Sequence, residues 1–412
     1  MRVRFLGGAR EVGRSAILID DRLLLDYGMR SGTPPGFPVG DVEPEAVVVS
    51  HGHLDHVGTV PALCSGDRRP PIHWTPPTRD LGLALARDTL KLRGGSYDCP
   101  FTETEIQRVT QVSRTHGYRE SFEAAGYEVT LFDAGHIPGS AHVLVDDGDT
   151  RLLYSGDVHT EDQRLLAGST ARPPADAVVL ESTYADVERP PRAEIEASFV
   201  DKVEETLWNG GTVVVPAFAI GRTQEALMIA AAHDLPTYVD GMGQRITRTV
   251  QQYPEFLRDA DALRRAAGHA RFVDGREGQR ERIAEESAVI VTTAGMLSGG
   301  PAMTYVPAVA GDPTNLIALT GYQVEGTPGR ELLDTGSAPI DGEMLRVAAR
   351  VERFDFSAHA DRTGLRSFLD PYEDAQVVLN HGDRVESFAD ELAVEGIDTA
   401  APEVGETVVV GE

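Results

Sequence analysis

Residues 46–56, AVVVSHGHLDH, run an apolar stretch straight into a hexapeptide that holds His51, His53, Asp55 and His56. The run Ala46-Val47-Val48-Val49 reads as a strand buried on both faces, and the hexapeptide as the tight loop at its end. Three imidazoles and a carboxylate in one loop are the donors that hold zinc in hydrolytic sites. In such a loop His51 and His53 can turn toward one ion while Asp55 and His56 turn toward a second. Two ions need more ligands than this loop supplies. Candidates lie far along the chain: His136 in AGHIPGSAH, Asp157 in LLYSGD and His381 in VVLNHGD, each next to an apolar, strand-like run.

The order HxHxDH, a lone His, a strand-ending Asp and a late His resembles the metallo-β-lactamase superfamily of metal-dependent hydrolases. LESTY with Glu181, FSAHAD with His359 and NHGD with His381 are similar to the three motifs of its β-CASP branch, whose members cut nucleic acids. The likeness continues through GGAREVG, PAFAIGRTQEAL, TTAGMLSGGP and GYQVEGTPGR, nearly the whole chain. It implies an α/β fold: a metallo-β-lactamase αββα sandwich carrying an inserted β-CASP α/β domain with a parallel sheet. It also implies two zinc ions per chain, one on His51, His53 and His136, the other on Asp55, His56 and His381, with Asp157 bridging them.

The rhythm of the sequence agrees with an insertion. Up to about residue 185 short strands and turns dominate, with Gly-Gly and Asp-Asp as turn signals; the one early helix, expected over 78–93, should bury Leu81, Leu85 and Leu92. From about residue 190 helices alternate with strands, the mark of parallel βαβ units. Metal-ligand candidates flank that region on both sides. The expected division is therefore 1–189 for the first part of the sandwich, 190–345 for the insert and 346–412 for the return. The Pro/Gly-rich 33–38 reads as a surface loop.

At 412 residues with 41% hydrophobic content the chain is long enough for two cores. No stretch approaches the roughly 18 apolar residues that span a bilayer, and the N-terminus lacks a signal-peptide core. A cytoplasmic protein with no membrane partner is expected. Cys64 and Cys99 sit in no CxxC pattern and read as small buried hydrophobes. The charge pulls against a phosphate-binding function, because 65 acidic residues against 38 Lys and Arg give −27. Acids are spread along the chain, and lysine occurs only at Lys91 and Lys202. Such a surface suits a cytoplasm of very high salt, where screening over roughly 3 Å at molar ionic strength removes self-repulsion. A halophilic source is the expectation, and in that setting RNA is held by metal, hydrogen bonds, stacking and local Arg contacts.

The remaining chemistry is assigned residue by residue. A two-metal site clamps phosphodiester oxygens and lowers the pKa of a bound water toward about 7. Asp26, ending LLLDYG, is a carboxylate suited to hold the second ring nitrogen of a ligand histidine, or else a turn former. His359 is the candidate general acid for the leaving 3′ oxygen, with Glu181 orienting it and keeping its pKa high. In the insert, Arg222 beside the helix opened by AIGRTQEAL, and Ser298, Gly299 and Gly300 in GMLSGGPAM, are candidate phosphate contacts or plain turns. His73, His116, His142, His159, His233 and His269 read as surface or packing residues.

The resemblance thus implies a zinc-dependent ribonuclease similar to archaeal homologues of the cleavage and polyadenylation specificity factor nuclease, in the short form without KH domains. The expected partners are single-stranded RNA, a second copy of the chain as a homodimer, and an RNA-processing or decay complex. A DNA-directed β-CASP nuclease and a non-catalytic processing subunit are the alternatives, the first disfavoured by His381 where that branch usually has Val. Endonucleolytic and 5′-to-3′ exonucleolytic action both stay open.

Overall fold

The computed structural model describes residues 1–32 and 34–411; Thr33, where the expected 33–38 loop begins, and Glu412 lie outside the described residues. The chain divides into two compact units. One comprises Met1–Asp162, Gly168–Glu188 and His359–Glu412, the other Gln163–Ala167 and Arg189–Ala358.

The first unit is built on two seven-stranded sheets. In the first, the strands lie in the order Thr407–Val409, Arg2–Gly7, Ala16–Ile19, Leu23–Leu25, Ala46–Val48, Ile72–Trp74, Ser113–Thr115. Its early strands are antiparallel and its later ones parallel. The hairpin between Ala16–Ile19 and Leu23–Leu25 turns on Asp20 (φ 47°) and Asp21 (φ 58°), closed by the Arg22 N–H donating to the Ile19 carbonyl at 2.9 Å. Two successive left-handed residues match the twist of paired strands, and Asp tolerates that region well.

The second sheet runs Thr399–Ala400, Gln376–Asn380, Ala177–Glu181, Arg151–Tyr154, Ala141–Asp146, Tyr127–Asp133, Ser121–Ala124. Side chains alternate between faces along a strand, so each sheet has an inner and an outer apolar face. Val3, Phe5, Ile17, Ile19, Leu23 and Leu25 meet Val129, Leu131, Val143, Val145 and Val179 between the sheets. On the outer face of the first sheet, Leu18, Leu24 and Val47 pack under Leu83, Ala86, Ile106 and Val109 of the helices Pro76–Arg93 and Glu103–Val112. Outside the second sheet, Val178, Leu180 and Leu379 pack under Leu365, Phe368, Phe388 and Leu392 of Arg362–Leu369 and Val385–Val394. Helix, sheet, sheet, helix is the layering expected.

One local expectation needs correction. The helix Pro76–Arg93 buries Leu81, Leu83, Ala84 and Ala86, whereas Leu92 is 72% exposed. Helical spacing put Leu92 on the apolar stripe, but in the last turn of the helix nothing among the described residues covers it. By compactness the second unit extends to Ala358. The cause is the strand Arg350–Arg353, which pairs in parallel with Leu316–Leu319 and so belongs to the second unit's sheet.

That sheet has six strands, all parallel, in the order Arg271–Phe272, Thr237–Asp240, Val289–Thr292, Val213–Pro216, Leu316–Leu319, Arg350–Arg353. Val214, Ile290 and Ile317 carry one face of it into a core with Leu297, Tyr305, Val306 and Leu332. Among the described residues no helix is long and apolar enough to cross a membrane.

His142 is one histidine that packs: it is fully buried, with Nδ1 2.6 Å from the Ser155 carbonyl and Nε2 2.8 Å from Ser169 Oγ. Burial pushes its pKa down from 6.5 to about 4. Unfolded chains therefore bind a proton here that folded chains refuse, so this contribution to stability is complete above 6.5 and declines as pH falls toward 4. We expect the melting temperature of metal-free protein to drop over that window, and the drop to be smaller in His142→Gln; equal slopes in a pH series of melts would refute the assignment.

Candidate metal centre

The loop that leaves Ala46–Val48 enters a short helix, Leu54–Val57, and turns four side chains inward. His51 and His56 are fully buried. Ligand atoms of His51, His53, His136 and Asp157 all lie within 4.8 Å of one another, and so do those of Asp55, His56 and His381. Asp157, 2% exposed, stands between the two sets. Its Oδ2 faces His51 Nε2 at 3.4 Å and His136 Nε2 at 3.6 Å, while its Oδ1 faces His56 Nε2 at 3.2 Å and His381 Nδ1 at 3.5 Å. His381 Nε2 lies 3.4 Å from Asp55 Oδ2, and His53 Nδ1 lies 3.0 Å from His136 Nε2.

Buried polar atoms are nearly always hydrogen-bonded, and exceptions call for an explanation. Here His51 Nε2, His53 Nε2, His56 Nε2 and Asp157 Oδ1 are buried with no hydrogen-bond partner. Four converging orphaned atoms of nitrogen and carboxylate type fit divalent metal. Electrostatics point the same way for the first set. Burial, with neighbouring imidazoles, lowers His51 and His136 and brings His53 down to about 3, so these rings are neutral and ready to donate a lone pair. At His56 and His381 burial also disfavours the charged ring, but the Asp157 carboxylate, with Asp26 at the first and Asp55 at the second, outweighs it and raises both. Burial opposes ionisation of Asp55 and Asp157, but His381 at the first and His56 at the second hold both carboxyls below their ordinary range.

Asp26 anchors the loop from below. This fully buried carboxylate accepts the Ser50 N–H at 2.7 Å, the Ser50 hydroxyl at 2.7 Å and the Tyr154 hydroxyl at 2.8 Å. Its Oδ2 also lies 2.7 Å from His56 Nδ1, which fixes the tautomer that leaves Nε2 as the donor.

His359 sits at the edge of the cluster with its side chain 18% exposed. Its Nδ1 lies 3.0 Å from both Oε1 and Oε2 of Glu181, and its Nε2 lies 3.9 Å from Asp157 Oδ2. Tyr184 stacks on the ring at 5.9 Å between centroids. Glu181 is fixed in turn by the Val158 N–H at 2.9 Å. Burial disfavours the charged ring, but the Glu181 and Asp157 carboxylates outweigh it and raise the pKa to about 9.

Three family descriptions match the chain in succession: the metallo-beta-lactamase superfamily over 9–195, the Beta-Casp domain over 223–332 and the Zn-dependent metallo-hydrolase RNA specificity domain over 344–402. The chain is 37% identical to RNase aCSPSF2 of Saccharolobus solfataricus, over 98% of this chain and 85% of that one. It is 32% identical to the Methanocaldococcus jannaschii protein named "Probable RNase MJ4", over 99% and 100%. The chain belongs to the β-CASP branch of the metallo-β-lactamase superfamily. A crystal structure of a protein of unknown function from Enterococcus faecalis superposes with a TM-score of 0.62 at 13% identity, covering 99% of both chains, and so shares the fold.

In this β-CASP chain the structure gathers His51, His53, Asp55, His56, His136, Asp157, His381, Asp26, Glu181 and His359 within the first unit. The other expected residues lie in the second unit, and they differ. Arg222 is 5% exposed, and its guanidinium donates to the Phe356 carbonyl and, at 2.7 Å, to Gln163 Oε1. The backbone donors around it are engaged too: Gly221 N–H with Gln224 Oε1 at 2.8 Å, Arg222 N–H with the Ile220 carbonyl at 3.0 Å, Thr223 N–H with the Phe218 carbonyl at 3.0 Å. These contacts give Arg222 a packing role within the second unit. Ser298 is exposed, and a side-chain carbon added at Gly299 would meet nothing within 4 Å. Gly300 has a packing reason, because such a carbon would fall 2.6 Å from the Thr293 carbonyl.

Sequence reasoning missed His159. It is buried, and its Nδ1 lies 3.1 Å from the His359 carbonyl, so it fixes the backbone that carries the general-acid candidate. Its position two residues after Asp157 was the only available signal. We expect His159→Ala to keep its metal but lose about tenfold in kcat, because the backbone that aims His359 is held less firmly. Metal analysis beside single-turnover kinetics checks this, and loss of metal would show that His159 supports the ligands instead.

Proposed function

We propose that this metal-dependent ribonuclease hydrolyses single-stranded RNA with two zinc ions, one on His51, His53 and His136, the other on Asp55, His56 and His381, with Asp157 shared. The observation that carries the reading is the division of Asp157: each oxygen faces the histidines of one set. The matched RNA specificity domain and relatives named RNase support RNA as substrate. Single strands suit a site that tolerates many sequences through stacking and backbone contacts. Bound zinc would supply Lewis-acid polarisation of the phosphodiester and lower the pKa of water toward about 7.

The protein's own groups do the rest. Glu181 accepts the Nδ1 proton of His359 and so turns Nε2, with its proton, toward the metal cluster. From there His359 protonates the leaving 3′ oxygen, and the raised pKa keeps the proton on the ring until the P–O bond breaks. Asp26 and Ser50 keep the ligand loop in register and exert no direct action on substrate.

Two variants separate these roles. His381→Ala removes a ligand, so metal content and activity should fall together. His359→Ala should retain metal and lose about 10²- to 10⁴-fold in rate on RNA. An aryl phosphodiester, whose leaving group needs no proton, should recover much of that rate in His359→Ala alone. Metal loss in His359→Ala, or no relative recovery, would remove His359 from the general-acid role.

The acidic surface supports a protein adapted to a salt-rich cytoplasm, and family habit supports a homodimer within an RNA-processing assembly. Light scattering and thermal melts over one salt series check both. A species of only 44.4 kDa would exclude the dimer, and a melting temperature flat from low to multimolar salt would exclude the adaptation.

A further inference from the structure

The helix Pro76–Arg93 begins beside the metal loop, where a side-chain carbon added at Gly52 would fall 2.7 Å from Leu81 Cβ. At ~1.5 Å per residue, about 15 Å of helix separate Leu81 from Lys91. The far end gathers cations. Arg87 and Lys91 are exposed and Arg93 is half-buried, and none of the three forms an ion pair among the described residues. Arg93 Nη1 is buried without a hydrogen-bond partner. In a chain of 65 acids and 38 Lys and Arg, many cations elsewhere are paired with carboxylates, as Arg10, Arg68, Arg362 and Arg366 are.

Beside these cations stand two apolar groups that the fold leaves uncovered: Leu92, 72% exposed, and Tyr97, 103% exposed. The turn that carries Tyr97 is built. Gly94 N–H donates to the Leu90 carbonyl at 2.8 Å, the Ser96 hydroxyl to the Arg93 carbonyl at 2.7 Å, and Cys99 N–H to the Ser96 carbonyl at 3.2 Å. Cys99 is buried in the core, so the turn is tied down behind Tyr97. Asp88 and Asp98, both half-buried, are the acids of 87–98, where cations outnumber them in a chain of net charge −27. Cations in a last helical turn complement the helix dipole. That accounts for Lys91 and Arg93 but leaves Arg87, Leu92 and Tyr97 unexplained.

We propose that Arg87, Lys91, Arg93 and Tyr97 form a single-stranded RNA contact remote from the metal centre, with the guanidinium and ammonium groups on phosphates and a base stacked on Tyr97. Unpaired cations interleaved with an exposed aromatic ring are what a sequence-tolerant single-strand site requires. The proposal rests on RNA being the substrate. It adds that the chain grips RNA about 15 Å or more from the site of cutting, so substrates too short to reach the tip gain nothing from it.

Lys91 and Lys202 are the only lysines, so amine acylation read by peptide mass spectrometry reports on the tip with an internal reference. In chelator-treated protein, where RNA stays intact, an unstructured 30-nucleotide RNA should protect Lys91 and leave Lys202 reactive. Tyr97→Ala should weaken binding of that RNA about five- to tenfold, raise its KM to match, and leave kcat and aryl phosphodiester hydrolysis unchanged. If RNA is cleaved while Lys91 stays as reactive as before and Tyr97→Ala has wild-type KM, the tip contact is wrong and the ribonuclease reading stands. If no RNA is bound or cleaved while the aryl ester is hydrolysed, the ribonuclease reading fails instead. Protection of Lys91 that appears without RNA and grows with protein concentration would make the tip a protein-protein surface and overturn the proposal.

Discussion

Everything in the first unit is arranged around one buried carboxylate. Isolated in an apolar interior, the Asp157 charge would cost several kcal/mol even after relaxation. It is tolerated because imidazoles approach both of its oxygens. Those imidazoles come from both sheets: His51 and His56 follow a strand of the first, His136 and His381 follow strands of the second. The two sheets must therefore pack in one register, since a shift of one residue in either would point a ligand away and leave the carboxylate uncompensated.

Holding that register strains the backbone at chosen points. His381 adopts φ 48° and Asp26 φ 58°, a region that non-glycine residues enter at a cost of roughly 1–3 kcal/mol. Both are pinned by the surrounding fold: the His381 N–H donates to the Gly8 carbonyl at 2.6 Å, and the Asp26 N–H to the Val48 carbonyl at 2.9 Å. Glycine is used where backbones come too close for a side chain. A carbon added at Gly28 would overlap the Asp55 carbonyl at 1.7 Å, and one at Gly382 the Ser182 carbonyl at 2.5 Å. With the backbone packed tightly behind the ligands, their rings are aimed by hydrogen bonds: Ser50 Oγ on His51, Asp26 on His56, and Thr183 Oγ1 together with the Gly13 N–H on His381.

The ligand candidates were legible because each sits at the end of an apolar strand, a pattern local enough to read along the chain. Layering was legible for the same reason, since strands such as Val47 and Leu24 are apolar on both faces. What failed was information that exists only in three dimensions. A glycine before a helix looks alike whether its N–H groups are free or, as around Arg222, already taken by Gln224 and by loop carbonyls. Leu92 fits the helical stripe, but nothing among the described residues covers it in the last turn. Arg350–Arg353 is a polar edge strand, invisible to hydrophobicity, yet it pairs into the second unit's sheet. His159 gave no sign of its role beyond lying two residues after Asp157, because a hydrogen bond to the backbone at residue 359 spans 200 positions.

The charge balance changes meaning once these placements are known. Most arginines whose contacts are described are tied locally to carboxylates or carbonyls, as Arg366 is to Glu391 and Glu395. Such cations neutralise their neighbours and contribute little to the field an approaching anion feels. At molar salt, with a screening length of roughly 3 Å, a net charge of −27 is equally invisible a few ångströms from the surface. Both the repulsion and any long-range attraction vanish together. What remains is contact: a cation without a partner, a ring without a cover, and a cluster of buried metal-ligand candidates. An acidic chain can therefore act on a polyanion, provided its few unpaired cations sit where the substrate touches it, and composition alone carries no information about that placement.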